Sequence, residues 1–246
     1  MLDEARTSHY TIWAVAFLFY LCDAARLIRW RDLLLVEAGR GRLGTRLSDA
    51  PFTLAGRVLT FAPIVRPDRG VFIASWGGKW STDRDVTDAV ASIERLRGSL
   101  GGVRLAAITG FALLFIVGPA LTVFWGPGAA VLLTAALLYP ALLGTVLVLW
   151  RKRHDLGLTA TQTLGLGVEL LVCPAFLPNL VRKITTKHRV DADAAQILAV
   201  VAAAEERDEL FARLRTRADQ LLNEASADEA LQQELRSYLV MLGTPR

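Results

Sequence analysis

No charged residue occurs from position 105 to position 150, a run of 46 residues, while elsewhere apolar and polar positions follow helical or strand periods. Roughly 20 apolar residues cross a bilayer core, so this run has room for two helices and a turn. Trp125-Gly126-Pro127-Gly128 supplies the turn, because Gly and Pro interrupt regular structure. The pattern predicts one span over 105–124 and another over 129–150, kinked at Pro119 and Pro140. A third span is predicted over 11–28. Asp23 and Arg26 lie one turn apart near its end, where they pair and the arginine snorkels to the surface. No small-residue cleavage site follows this run, so it is read as retained.

Between the spans the period changes. Residues 32–38 and 42–47 read as strands around a Gly-rich turn at 39–44. Segments 57–62 and 71–76 are β-branched and aromatic, bounded by Pro51, Pro63 and Pro67. A small antiparallel sheet or partial barrel over 31–80 is expected. Thr82 or Asp83 then caps a helix over 85–97, with Val86, Val90, Ile93 and Leu96 on one face. Apolar residues recur at helical steps over 191–224, and Ser226-Ala227-Asp228-Glu229 reads as a capping box for a second helix. An antiparallel helical hairpin over 191–246 follows, its first helix about 34 residues and about 50 Å long.

The fold class is thus an integral membrane α-helical protein of three transmembrane helices, with a β-rich cytoplasmic insertion and a C-terminal amphipathic hairpin. Its parts are 1–30 (outer tail and first span), 31–80 (insertion), 81–103 (linking helix), 104–150 (transmembrane hairpin), 151–190 (basic segment) and 191–246 (cytoplasmic hairpin). Within the basic segment, 156–181 is apolar apart from Glu169 but broken by Gly157, Gly165, Gly167, Pro174 and Pro178. A fourth span would put Arg182, Lys183, Lys187 and Arg189 outside, so an interfacial or re-entrant course is favoured.

Composition adds sidedness. The chain is 53% hydrophobic with net charge +4, which excludes disorder, and its two cysteines exclude a disulfide scaffold. Only Arg6 precedes the first span, whereas Arg26, Arg29, Arg31, Arg40, Arg42 and Arg46 follow it. Arg95, Arg97 and Arg104 precede the second span, Arg151, Lys152 and Arg153 follow the third, and the hairpin turn has no charge. Positive residues stay in the cytoplasm, so the N-terminus is periplasmic and the C-terminus cytoplasmic. Trp13, Trp30, Trp125 and Trp150 fall at predicted interfaces. Residues 24–104 carry 14 basic and 8 acidic groups, net +6; residues 182–246 carry 10 and 11, net −1. Arg26, Arg29, Arg31, Arg151, Lys152, Arg153, Arg182 and Lys183 are accordingly read as facing anionic lipid. With 24 arginines against 4 lysines, the usage reads as that of a GC-rich bacterium.

Chemical motifs are sparse. Gly39-Arg40-Gly41-Arg42-Leu43-Gly44 spells G-x-G-x-x-G after a strand, but Pro51 blocks the helix that a dinucleotide site needs and no acidic residue follows near 60–65. It reads as a hairpin loop. Cys22 and Cys173 read as small hydrophobes, His9, His154 and His188 are scattered, and neither a metal nor another cofactor is expected. No aromatic platform or helix-turn-helix pattern points to nucleic acid. Ionisable groups inside a membrane imply function, which singles out Glu169 and Asp23 as transport candidates. Phe211, Leu214, Leu221, Leu235 and Leu239 form a candidate docking face for a protein partner or a second copy. The leading expectation is a non-enzymatic inner-membrane scaffold, assembly or regulatory subunit. The alternatives are a small transporter or channel component using Glu169, and a lipid-acting enzyme using His154 and Asp155.

Overall fold

The structure, a computed structural model, describes residues 2–29, 31–38, 43–46, 53–54, 57–61, 64–77, 81–202, 204–224 and 229–243. Helix α1 (Leu2–Ala24) leads into strands β1 (Ala25–Arg29), β2 (Asp32–Glu37), β3 (Leu43–Arg46), β4 (Thr53–Leu54), β5 (Arg57–Phe61) and β6 (Val71–Ser75). Helices α2 (Asp83–Ser99), α3 (Gly101–Ala112), α4 (Gly118–Trp125), α5 (Pro127–Lys152), α6 (Ala160–Val172) and α7 (Leu180–Lys187) follow. Strand β7 (Arg189–Val190) and helices α8 (Ala194–Val201), α9 (Ala204–Glu224) and α10 (Glu229–Gly243) complete the order. The chain is mostly helical with a small β insertion, and it divides into two units.

The first unit comprises Met1–Arg26, Thr60–Gly70 and Arg95–Lys187. In it α3 continues through a π turn (Leu113–Val117) into α4, so that 101–125 forms one helical rod. Pro119 explains the turn: its ring would meet the carbonyl one α-turn earlier, and the wider π geometry removes the conflict. Gly126 then reverses the chain with φ +79°, a conformation glycine adopts without a Cβ penalty. Gly101–Trp125 and Pro127–Lys152 are each long and apolar enough to cross a membrane, and only 28% and 22% of their apolar windows are buried in the protein. Two helices, not three, meet that test. The first apolar segment stops at Ala24 and turns into β1 rather than running on to position 28, leaving Tyr10–Ala24 shorter than a span.

Small residues fix how these helices meet. A Cβ at Gly102 would lie 3.4 Å from Val148, and one at Gly167 would lie 3.2 Å from Val146, so α3 and α6 both flank the C-terminal part of α5. Gly110 is covered by Leu177, and Gly118 by the Trp13 ring. Trp13 is therefore not an interfacial anchor. It is buried and donates to Thr122 Oγ1 at 2.9 Å, because the indole fills the notch at Gly118 and its N–H needs a partner there. Trp125 and Trp150 are exposed, and Trp30 lies outside the described residues. Helix α6 opens on a capping box between Thr159 and Gln162, but its 13 residues reach only about 20 Å, short of the roughly 30 Å core. A 3₁₀ turn (Pro174–Asn179) with two prolines ends it and leads into α7. Segment 156–181 is a broken apolar segment rather than a full-length helix.

The second unit comprises Leu27–Leu59, Val71–Glu94 and His188–Arg246. The anticipated single sheet is two: β1-β5-β4, and β3-β2-β6-β7. Strand β2 is central and buried almost throughout, as its continuous Leu-Leu-Leu-Val run requires. It pairs antiparallel with β3 (Leu35↔Thr45) and with β6 (Leu35↔Phe72). Strand β7, from far along the chain, adds parallel to β6. The reading of 39–44 as a turn falls mostly outside the described residues, although Leu43 and Gly44 lie in β3 rather than at a helix start. Helix α2 is capped as anticipated: Thr82 Oγ1 accepts from the Asp85 N–H at 3.2 Å and Asp85 Oδ2 accepts from the Thr82 N–H at 3.0 Å.

The long C-terminal helix breaks. Backbone at Ala202 is extended, separating α8 from α9 without a Gly or Pro to mark it. Packing supplies the cause: α8 is buried over Ala194–Leu198, whereas α9, among its described residues, buries Leu210, Leu214 and Ala218 on one stripe. One straight helix cannot meet both demands. Helices α9 and α10 do pair as a hairpin, while the proposed capping box at 226–229 lies largely outside the described residues.

Candidate functional site

In an apolar unit, ionisable side chains are where chemistry concentrates, because burying a charge costs several kcal/mol unless it is paired. Three such groups meet in the first unit, each from a different helix. Lys183 Nζ, on α7, lies 2.9 Å from Asp23 Oδ1 in the last turn of α1, and it also pairs with Glu169 Oε1 on α6. The ammonium sits 4.2 Å from the centre of the Phe176 ring. Its side chain is 7% exposed and that of Asp23 11%, whereas Glu169 is 39% exposed. Glu169 is thus the most exposed of the three. Asp23 Oδ2 is buried with no hydrogen-bond partner among the described residues.

A second set of bonds braces the first. Asn179 Nδ2 donates to the Tyr20 carbonyl at 2.9 Å, and Arg182 donates to Asn179 Oδ1. Arg182 also donates to the Arg66 carbonyl at 3.2 Å and to the Tyr20 hydroxyl at 3.4 Å, while Tyr20 donates to the Ile64 carbonyl. Asp23, Glu169, Lys183 and Arg182 sum to zero charge. The 3₁₀ turn makes the convergence possible, since it folds α7 back so that adjacent residues Arg182 and Lys183 face α1 and α6.

Several expectations change here. Asp23 pairs with Lys183 and not with Arg26, because α1 ends at Ala24 and Arg26 lies in a strand. Arg182 and Lys183 do not face lipid: both are buried, each held by partners that a surface position could not provide. Arg31 is turned to Glu234 of α10 at 2.8 Å, so it too is engaged within the protein. Arg29, Arg151 and Lys152 are exposed, Arg26 is half-buried, and Arg153 stacks over Trp150 at 4.6 Å. Cys22 is exposed and Cys173 half-buried. His154 and Asp155 lie exposed after α5. Glu169 and Asp23, chosen from sequence, are brought together. Lys183 was missed as their shared partner, and Arg182, Asn179 and Tyr20 as the network beside it, although a lone glutamate in an apolar run demands a cation and the chain has only 4 lysines.

The second unit holds a polar cavity of about 380 Å³, lined by Arg31, Asp32, Ser75, Ser81, Arg189 and Asp193 among others. Arg189 donates to Asp32 Oδ1 at 2.8 Å and to Ser75 Oγ at 3.1 Å, and Ser75 donates to Asp32 Oδ1 at 3.0 Å. Asp193 caps α8, accepting from the Ala195 N–H at 2.9 Å and from the Tyr238 hydroxyl at 3.1 Å. Burial pushes the Asp193 carboxyl up to about 6, against the opposing pull of those bonds. Burial, then the neighbouring Asp193, pushes the Tyr238 phenol far above its ordinary value, so it stays a donor. Of the candidate docking residues, Leu214 and Leu235 are fully buried and Phe211, Leu221 and Leu239 half-buried. That apolar stripe is used inside the unit, with Leu235 beside Gly77 and Tyr238 against Trp76. No cluster of three or more His, Cys, Asp or Glu among the described residues is placed to hold a metal. No known protein family, curated protein or solved structure matches this chain.

Proposed function

We propose that the chain is a bacterial inner-membrane protein acting without catalysis, as an anchored scaffold, assembly or regulatory subunit. The observation that carries the membrane part is exposed apolar surface. Leu105, Ile116, Val123, Phe124, Leu132, Leu143 and Leu147 on the two long helices, with Leu164, Val168 and Val172 on α6, are all 58% exposed or more. Each would lose a share of the ~1.5–3 kcal/mol that burial of such a side chain yields, and a patch of this extent marks a membrane or protein contact. Lipid satisfies it. In this reading the whole of α1, 23 residues and about 35 Å long, is the third span although its apolar part is only Tyr10–Ala24; α6 and the 3₁₀ turn form a re-entrant segment, and non-helical backbone at that depth is tolerated because protein buries it. The positive flanks support an N-terminus outside and the second unit in the cytoplasm.

The scaffold reading rests on what the second unit exposes. Its apolar stripe is spent internally, and Val200 and Val240 remain open at 65% and 71%. A photo-crosslinker at either position in intact cells is expected to capture one discrete protein partner, also in the Glu169→Gln variant. Adducts to lipid alone would overturn this reading. A second reading, an ion-coupled transport component, is favoured by the Asp23–Lys183–Glu169 cluster, since ionisable groups inside a membrane are costly and mark ion paths. Loss of cellular function in Glu169→Gln with the partner still captured would favour it.

A further inference from the structure

Helix α5 carries a strip of exposed residues at helical steps: Leu132, Ala136, Tyr139, Leu143, Leu147 and Trp150. Between its ridges Pro140 and Gly144 keep the surface low, and a Cβ at Gly144 would meet nothing within 4 Å. From Tyr139 to Trp150 the strip is about 17 Å long at 1.5 Å per residue, one leaflet's share of a ~30 Å core. Cations end it. Arg151 and Lys152 are exposed in the last turn, and Arg153 lies over the Trp150 ring at 4.6 Å. None of the three makes an ion pair among the described residues. Arg153 donates a long 3.4 Å bond to the Trp150 carbonyl, and exposed Asp155 is the nearest carboxylate in sequence. The helix's C-terminal partial charge offsets only about half of one positive charge.

Resting on the membrane reading above, we infer that this strip binds an anionic glycerophospholipid, its acyl chain along Tyr139–Trp150 and its phosphate at Arg151, Lys152 and Arg153. The observations fit both ends of that molecule: a chain-length exposed apolar strip, and two or three positive charges without an ion-pair partner among the described residues at its end. Guanidinium groups match phosphate oxygens two at a time, and the indole sits naturally at headgroup level. Zwitterionic lipid would cover the strip equally well but leave the cations without net compensation.

The full chain in vesicles containing brominated phosphatidylglycerol or brominated phosphatidylcholine, at equal mole fraction, tests this by quenching of tryptophan fluorescence. The Trp150 contribution is isolated by comparison with Trp150→Phe. The anionic lipid is expected to quench Trp150 several-fold more strongly, with selectivity lost in Arg151→Gln/Lys152→Gln/Arg153→Gln and reduced by salt. Equal quenching by both lipids would overturn the site while leaving membrane insertion standing. Quenching by neither would remove the membrane reading and the site with it.

Discussion

At the scale of single residues, Lys183 is the position where sequence and surroundings disagree most. A lysine is ordinarily a surface residue, yet here its side chain is 7% exposed between two carboxylates and an aromatic ring. Breaking a buried pair costs more than the pair ever contributed, because the surviving charge is left without a partner. Lys183→Met is therefore expected to lower stability by about 3 kcal/mol or more, since Asp23 would remain buried. Glu169→Gln should cost less, because Lys183 keeps Asp23 as its charged partner and the amide can still accept its N–H. Thermal unfolding of the two variants in detergent compares them directly. Equal losses would mean that Glu169, not Asp23, is the essential partner of Lys183. From sequence alone the acids were legible as anomalies in an apolar run. Lys183 was not, because a cation beside other cations reads as a surface cluster.

Helix α8 shows how an element can carry its own pH dependence. Its N-cap, Asp193, is buried and its carboxyl is raised to about 6 from an ordinary 3.8. The folded state holds that proton more tightly than the unfolded chain, so the group's contribution is complete below about pH 4 and is lost as pH rises through about 6. The shift corresponds to about 3 kcal/mol in all, at about 1.36 kcal/mol per unit. Asp193→Asn keeps an acceptor for the Ala195 N–H and the Tyr238 hydroxyl while removing the charge. Denaturant unfolding between pH 4 and 7 should show a downward slope in the wild type that the variant lacks. A shared slope would place its origin elsewhere. The same stretch shows the limit of periodicity: apolar spacing announced one long helix, and the break at Ala202 goes with the burial of Ala194–Leu198, which no local signal marks.

For the whole molecule, contacts divide the chain into a largely apolar helical unit and a sheet-and-helix unit. The chain passes between them several times. Reporter fusions after Gly126 and after Arg246 are expected to be periplasmic and cytoplasmic respectively. The same compartment for both would remove one span from the proposed topology, and the reverse assignment would invert it. The positive-inside rule supports the orientation because Arg151, Lys152 and Arg153 follow one end of the hairpin and the other end carries no charge.

The sequence by itself determined the apolar hairpin, its turn at Gly126, the central strands β2 and β6 and the amphipathic α2, all of them written in local periodicity and in residues that admit few backbone conformations. It also marked Asp23 and Glu169 as out of place. Tertiary structure alone decided that Lys183 joins them, that Trp13 fills the notch at Gly118, that β7 adds to β6, and that Leu214 and Leu235 are used internally. The physical reason is common to these cases. Each depends on a partner distant in the chain, and hydrophobic period and charge spacing report only which residues seek burial or pairing, not which ones they find.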